Sequence, residues 1–454
     1  MKFAITILLL VAAIVSGQTR AVFMGSVPTG KATSEALPLS FADAIDRGLK
    51  QNLGTLLARQ AGRAAEGERL QVRSGLLPHL TAGLVESAQQ VDLQAFGFQG
   101  LPGIPTVIGP FSTFDARARL SAPILNFGAI YGTRGSSENQ KAADAAYRDA
   151  RDTVVQVVAA LYLQALSGQS RIDAVRAQVA TAETLHRQAS DFRSAGTAPA
   201  IDVLRAKVEL DAQQQRLIYF ENEFEKQKLA LGRAIGLPDG QPLRLTDQVP
   251  YTPAPVRTVE EAIAQASESR MDYQSAQARL RAAEYRRRAA AAERLPSVAF
   301  NGDYGAIGLS PTSSHGTVTA AVGVSIPIFQ GGRVQGEVLA ADAAIEQQRA
   351  ELEDLRGRMA YEVRTAFLDL TAAGRQADVA KEAVDLAGQQ VTQARDRFAA
   401  GVTSNLEVIQ AQEALAAANE NYISSLASYN IAKAALARAI GGAEGRIRAF
   451  LWGT

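Results

Sequence analysis

The amino-acid sequence predicts a mainly α-helical protein with a small β part, duplicated along its length, in which four strands interrupt very long helices. Three observations carry that expectation: an internal repeat, two long proline-free stretches of helical periodicity, and four short segments in which apolar and polar residues alternate.

The repeat is read word by word. Leu39-Ser40-Phe41-Ala42-Asp43-Ala44-Ile45 matches Arg257-Thr258-Val259-Glu260-Glu261-Ala262-Ile263, and Leu77-Pro78 matches Leu295-Pro296 at the same offset of 218. Leu120-Ser121-Ala122-Pro123-Ile124-Leu125 returns as Val324-Ser325-Ile326-Pro327-Ile328-Phe329. Ala195-Gly196 followed by Ile201-Asp202-Val203 returns as Ala400-Gly401 followed by Leu406-Glu407-Val408. Each copy closes on one word, Arg233-Ala234-Ile235-Gly236 and Arg438-Ala439-Ile440-Gly441. The offset falls to 204–205 after the second match, so the first copy is longer there, and its Gly- and Pro-rich segment from Gly97 to Pro110 reads as a loop.

These matches divide the chain into a segment 1–21, an N-terminal linker 22–37, a first repeat 38–245, a Pro-rich linker 246–257, a second repeat 258–442 and a C-terminal tail 443–454. Met1-Lys2, the apolar run Phe3 to Val15 and the small residues after it have the layout of a secretory signal, cleaved after Gly17 or Ala21. No later stretch reaches eighteen apolar residues, so a mature chain that spans a membrane must do so with strands.

The long helices follow from a coiled-coil-like stepping. Ile172, Val175, Val179, Ala182, Leu185, Ala189 and Phe192 recur at three- and four-residue intervals, as do Leu352, Leu355, Met359, Val363, Ala366 and Leu370. Starting near Ala129 and near Val334, each helix has room for about 65 residues, roughly 95–100 Å. Gly196 and Gly401 end them, where a left-handed C-terminal cap suits glycine.

The strands alternate instead, in pairs spanning 79–122 and 297–326. Phe114, Ala116, Ala118 and Leu120 face away from Asp115, Arg117, Arg119 and Ser121; Val318, Ala320, Val322 and Val324 face away from Thr317, Thr319, Ala321 and Gly323. Val298, Phe300, Gly302 and Tyr304 form another such face, and Leu80, Ala82 and Leu84 a weaker one. One apolar and one polar face per pass suits the wall of a membrane barrel. Open edges in lipid cost several kcal/mol per unpaired group, so four strands must be shared between copies, eight for a dimer or twelve for a trimer. A polar inner face carrying Arg117 and Arg119 suits a water-filled pore.

Composition excludes other classes. Lys+Arg 47 against Asp+Glu 46 leaves +1, no surplus for nucleic acid. Hydrophobic residues make up 47% but aromatics only 6%, which fits thin, closely packed helices. With no cysteine there is no disulfide, no thiolate chemistry and no lipid anchor on an N-terminal cysteine. His79, His186 and His315 lie too far apart for a helical metal site, and no nucleophile, base and metal set converges. No enzyme and no cofactor are expected. Gly331-Gly332-Arg333-Val334-Gln335-Gly336 lacks the Gly-Lys-Ser/Thr ending of a phosphate loop and reads as the exit of the fourth strand.

From about Leu39 to Gly441 the chain resembles the TolC-like outer membrane efflux proteins. The likeness rests on the duplicated plan, on the words Ala122-Pro123-Ile124-Leu125-Asn126-Phe127-Gly128 and Ile326-Pro327-Ile328-Phe329-Gln330-Gly331-Gly332-Arg333, and on Ala195-Gly196-Thr197 and Ala400-Gly401-Val402-Thr403. What the resemblance implies is a homotrimer with a 12-stranded barrel in outer membrane lipid and a helical tunnel in the periplasm. A periplasmic adaptor protein would meet the tunnel tips, and an inner membrane pump, proton- or ATP-driven, would supply the energy. A secreted trimeric coiled-coil adhesin is the alternative, which leaves the four strands without a role.

Candidate residues follow, each with a plain structural counterpart. Pro78, Pro123, Pro296 and Pro327 stand where helix and strand interchange, because proline removes a donor and turns the preceding residue away from helix. Gly196, Thr197, Gly401, Val402 and Thr403 form the turns expected to dock the adaptor, and glycine caps would shape those turns in any case. Asp202 and Glu407 occupy equivalent places after the turns, where three copies put six carboxylates around one narrow end; a first-turn acid that favours a helix N-terminus is the simpler role. In the resembled family an acidic ring and a tyrosine–arginine–aspartate link hold the tip closed. Asp202 and Glu407 match acidic positions of that pattern, while Phe398 stands in the tyrosine's place, Thr403 in the arginine's and Gln410 in that of a second ring aspartate.

Overall fold

The structure is a computed structural model and describes residues 22–98, 103–197, 199–253, 255, 258–400 and 402–453. The signal-like segment 1–21 and Gly401 lie outside the described residues. In chain order come β1 (Leu37–Leu39), α1 (Phe41–Gln51), α2 (Leu53–Ser74), β2 (His79–Asp92), β3 (Val107–Leu125), α3 (Phe127–Ser194), α4 (Ala200–Ala234) and β4 (Leu243–Leu245). The chain continues through α5 (Val259–Ser269), α6 (Met271–Ala292), β5 (Ser297–Gly308), β6 (His315–Ser325), α7 (Arg333–Ala399), α8 (Asn405–Ile440) and α9 (Ala443–Trp452).

The repeated words do repeated work. Ser40 and Thr258 cap α1 and α5, each side chain accepting from the amide three residues on, Asp43 N at 3.2 Å and Glu261 N at 3.3 Å. The two long helices run 68 and 67 residues without a break, which their lack of internal proline allows.

The chain divides into two compact units, each built from both repeats: the chain up to Ala61 with Asp144–Gln274 and Glu353–Thr454, and Gly62–Ala143 with Ser275–Leu352. The first unit holds the main core. Phe41 packs edge-on to Tyr162 with ring centroids 5.6 Å apart and against Trp452 at 4.5 Å. Val154, Val155 and Val158 of α3, Leu231 of α4, Val363 of α7 and Leu436 of α8 fill the centre. The parallel pair β1–β4 joins Leu37 to Leu243 and Leu39 to Leu245. The C-terminal residues 443–452 are helical and bury Ile447, Phe450 and Leu451 in the same core. Lys433 is fully buried there, with no carboxylate partner among the described residues; its Nζ donates to Thr252 O (2.9 Å), Thr252 Oγ1 (3.1 Å) and Leu451 O (3.1 Å).

The second unit carries a four-stranded antiparallel sheet in the order β2-β3-β5-β6. The two hairpins of the repeat therefore lie side by side, with β3 against β5 and with β2 and β6 as edges. Beneath the strands, Arg281 Nε bonds Glu138 at 2.7 Å and Ser275 Oγ donates to Ala142 O at 2.8 Å, tying α6 to α3.

Candidate conduit wall and helical tips

Register sorts the sheet into two faces. Leu80 pairs with Leu120, Leu120 with Gly302 and Gly302 with Ala320; Ala82, Ala118, Tyr304 and Val318 form the next row. These rows, with Phe300, Val322 and Val324, make one apolar face across all four strands. It is bare in the single chain: Leu80 is 72% exposed and Val318 75%. The opposite face carries Thr81, Arg119, Asp303 and Thr319 in one row and Gly83, Arg117, Gly305 and Thr317 in the next. Arg117 is pinned on it, with Nε 2.7 Å from Asp115 and Nη1 2.6 Å from Asp303. No helix among the described residues is long and apolar enough to cross a membrane.

The prolines mark the ends of these strands. Pro78 and Pro296 immediately precede β2 and β5, and Pro327 lies two residues beyond β6. Pro123 is inside β3, past Ser121, the last residue paired with β2, and at the register shift against β5. A bulge beside a vacated edge tolerates a residue without an amide hydrogen.

At the tip of α3, Gly196 has φ +73°, Gly196 N donates to Arg193 O at 3.0 Å and Thr197 N to Phe192 O at 2.9 Å. This pair of bonds is a Schellman cap, and the left-handed position suits glycine. At the end of α7, Val402 N donates to Arg397 O at 3.0 Å, the counterpart of the Thr197 bond; Gly401 itself is outside the described residues.

Asp202 and Glu407 both fall in the first turn of a helix, α4 and α8. Each meets a local guanidinium: Arg205 Nη1 lies 3.6 Å from Asp202, and Arg397 Nη1 lies 3.6 Å from Glu407. Thr403 Oγ1 donates to Glu407 Oε2. Phe398 packs on Phe192 with centroids 6.1 Å apart, beside a small core of Leu185, Val391, Ala394, Val408 and Ile409. The two tips are thus joined by an aromatic contact. Periodicity could not pair these two rings, because it orders residues along one helix and is silent on which helix packs against which. The arginines facing the two acids went unread for the same reason in the case of Arg397, whereas Arg205 was legible as an i, i+3 partner.

Among the described residues no group of three or more acidic or histidine side chains is placed to hold a metal ion. A sheet apolar on one whole face and continuous with helical hairpins of this length is the architecture of a channel wall. The chain belongs to the outer membrane efflux protein family, whose profile matches residues 45–237 and 262–442. It is an outer membrane protein of efflux and secretion machinery, and not an enzyme. It is 25% identical over 383 residues to a toluene efflux pump outer membrane protein, TtgF, of Pseudomonas putida, covering 82% of this chain and 76% of that one. It is equally 25% identical over 409 residues to the pyoverdine export outer membrane protein OpmQ of Pseudomonas putida, covering 85% and 83%. In fold it matches the CmeC outer membrane channel of Campylobacter jejuni with a TM-score of 0.75 at 18% identity, over 93% of this chain and 92% of that one. These likenesses favour the conduit over an adhesin.

Proposed function

We propose that three copies of the chain close a 12-stranded barrel and that the assembly is the passive exit duct of a tripartite efflux or secretion system. The sheet with one apolar face and two unpaired edges, β2 and β6, carries this reading. In lipid such edges must be paired, and joining β6 of one copy to β2 of the next removes every edge at once.

The helices of the first unit support the same assembly. Ile201, Leu204, Val208, Ile218 and Leu229 line an exposed seam of α4, and Tyr361, Leu368, Val379 and Leu386 another on α7; Val208 is 62% exposed and Leu368 69%. Apolar stripes of that extent mark contact surfaces. Because the two seams differ, one copy's α4 against the next copy's α7 is a head-to-tail contact, the kind that closes a ring.

Gly196, Thr197, Gly401, Val402 and Thr403 then form the periplasmic tips that meet an adaptor protein, which links the duct to an inner membrane pump. Asp202 and Glu407 line the narrow entrance, and Pro78, Pro123, Pro296 and Pro327 set the passage from helix to strand. The test is native mass spectrometry of detergent-extracted protein from the outer membrane fraction. A trimer is expected; a monomeric or dimeric particle overturns the shared barrel.

A further inference from the structure

The charged side chains on the polar face of the sheet are unevenly paired. Register sets Arg119 directly opposite Asp303, the partner that a count of neighbours would give it. Asp303 is bound to Arg117 instead, at 2.6 Å, and Asp115 holds the same guanidinium at 2.7 Å. The glycines on either side of Arg117 make this possible. Gly83 and Gly305 are its cross-strand neighbours, and a methyl at Gly305 would meet the Arg117 Cβ at 2.2 Å. Arg119 leans the other way: a methyl at Gly83 would lie 3.7 Å from its Nη1. Arg119 is exposed and makes no ion pair among the described residues.

Closing the barrel supplies no partner either. On this face β2 presents His79, Thr81 and Ser87, and β6 presents Thr317, Thr319 and Ser325. The joint between copies therefore brings no carboxylate to Arg119. Two arginines and two aspartates sum to zero, so the lumen has little long-range field. What it offers is one exposed guanidinium per copy, with a planar fork that takes a carboxylate or phosphate by two parallel hydrogen bonds.

We infer that Arg119 is a contact site, three to a trimer, for carboxylate- or phosphate-bearing cargo inside the barrel, and that Asp115-Arg117-Asp303 is the clamp that keeps it uncommitted. The inference rests on the barrel reading above. Its test uses the whole trimer in planar bilayers, with citrate as the probe added on the loop side of the sheet. Wild type should show citrate block, and Arg119→Gln should weaken the apparent affinity by roughly tenfold, the loss of one good charge-assisted contact. The same variant leaves three uncompensated negative charges per trimer, so its reversal potential in a KCl gradient should move toward potassium. Arg119→Lys keeps the charge and loses the fork: it should hold the reversal potential and still bind citrate less well. Unchanged block and unchanged reversal potential in Arg119→Gln, with normal conductance, overturn this site and leave the duct standing. A wild-type protein that forms no conducting trimer overturns the barrel reading and the site with it.

Discussion

Asn52 and Arg270 hold the same station in the two repeats, 218 residues apart. Each ends its first short helix, each is buried, and each donates to the alanine carbonyl of the closing word, Asn52 Nδ2 to Ala234 O at 3.1 Å and Arg270 Nη1 to Ala439 O at 3.4 Å. The glycine two residues past each alanine lets the chains come this close. Gly236 (φ +74°) and Gly441 (φ +92°) adopt a backbone that side chains resist, and a methyl at Gly236 would lie 2.4 Å from the Gln51 Cβ. The chemistry has diverged within one geometry. Asn52 is satisfied by carbonyls, including Phe23 O at 2.7 Å, whereas Arg270 needs Asp272 at 2.6 Å and Glu362 at 2.5 Å.

Arg270→Met should therefore be costly, about 1–3 kcal/mol, because it strips the hydrogen-bonded cation from Asp272, whose side chain is 22% exposed, and from the more open Glu362. Burial pushes the Asp272 carboxyl up, but the Arg270 hydrogen bond and charge outweigh it and hold the group below the ordinary range. A depressed carboxyl stabilises the fold above its unfolded pKa of about 3.9 and loses that contribution as pH falls through the folded value. Helical circular dichroism melts at pH 7 and below pH 4 check both points. The variant should melt lower at pH 7, and its deficit should shrink in acid; a deficit that is the same at both pH values assigns Arg270 a packing role alone.

Lys433 gives a pH dependence of the same sign in a higher window. Burial pushes its pKa down to about 8, whereas an unfolded lysine titrates near 10.4. Between those values the unfolded chain binds more protons, so stability should rise with pH from about 8 to about 10. Lys433→Met removes that rise. Melting temperatures of wild type and variant, taken in steps over this range, should diverge as pH increases; parallel curves mean that the ammonium stays charged, held by its three oxygen acceptors.

Much of this fold was legible in residue order, and the reason is periodicity. The two long helices begin at Phe127 and Arg333, close to the expected Ala129 and Val334, because unbroken helical stepping with no proline has few other solutions. The apolar strand faces were legible from period-two alternation in the same way. The α9 helix was not, since Ala443–Trp452 is short and mixes Glu444, Arg446 and Arg448 among its apolar residues. Its place in the core is decided by contacts such as Phe41 with Trp452, remote in sequence. The bond of Arg117 to Asp303 was hidden for the same reason: alternation sets the face, but only register says which charge meets which.

The tips allow a direct test of docking. Gly196→Pro forces φ toward −65° where the cap has +73°, and it removes the amide that donates to Arg193 O. The turn should reshape without disturbing the sheet. Trimer yield from membranes is expected to stay near wild type while pump-dependent export falls. Normal export in this variant removes the docking role from the first tip.

Asp202 and Glu407 raise the sharpest question, because first-turn acids at the helical tips suit two roles at once. As first-turn acids Asp202 and Glu407 would each contribute about 0.3–1 kcal/mol to their helices and leave conduction alone. As an entrance ring, six carboxylates would draw cations, multivalent ones above all. The arginines nearby offset part of that field: Arg205 and Arg397 each lie 3.6 Å from their acid, and such partly exposed pairs, worth about 0–1 kcal/mol, leave the carboxylates free to meet a multivalent cation. The two acids differ in access. The Asp202 side chain is 15% exposed and that of Glu407 39%, so Glu407→Gln should carry the larger loss of cation selectivity and of block by a trivalent cation added from the tip side. Asp202→Asn should act more on melting temperature than on current. Arg397→Gln should strengthen selectivity and block, since it unmasks Glu407; the helix-cap role has no such consequence. Single-channel recordings of the four proteins decide the matter. Identical reversal potentials and identical block across wild type, Glu407→Gln and Arg397→Gln would confine both acids to capping their helices.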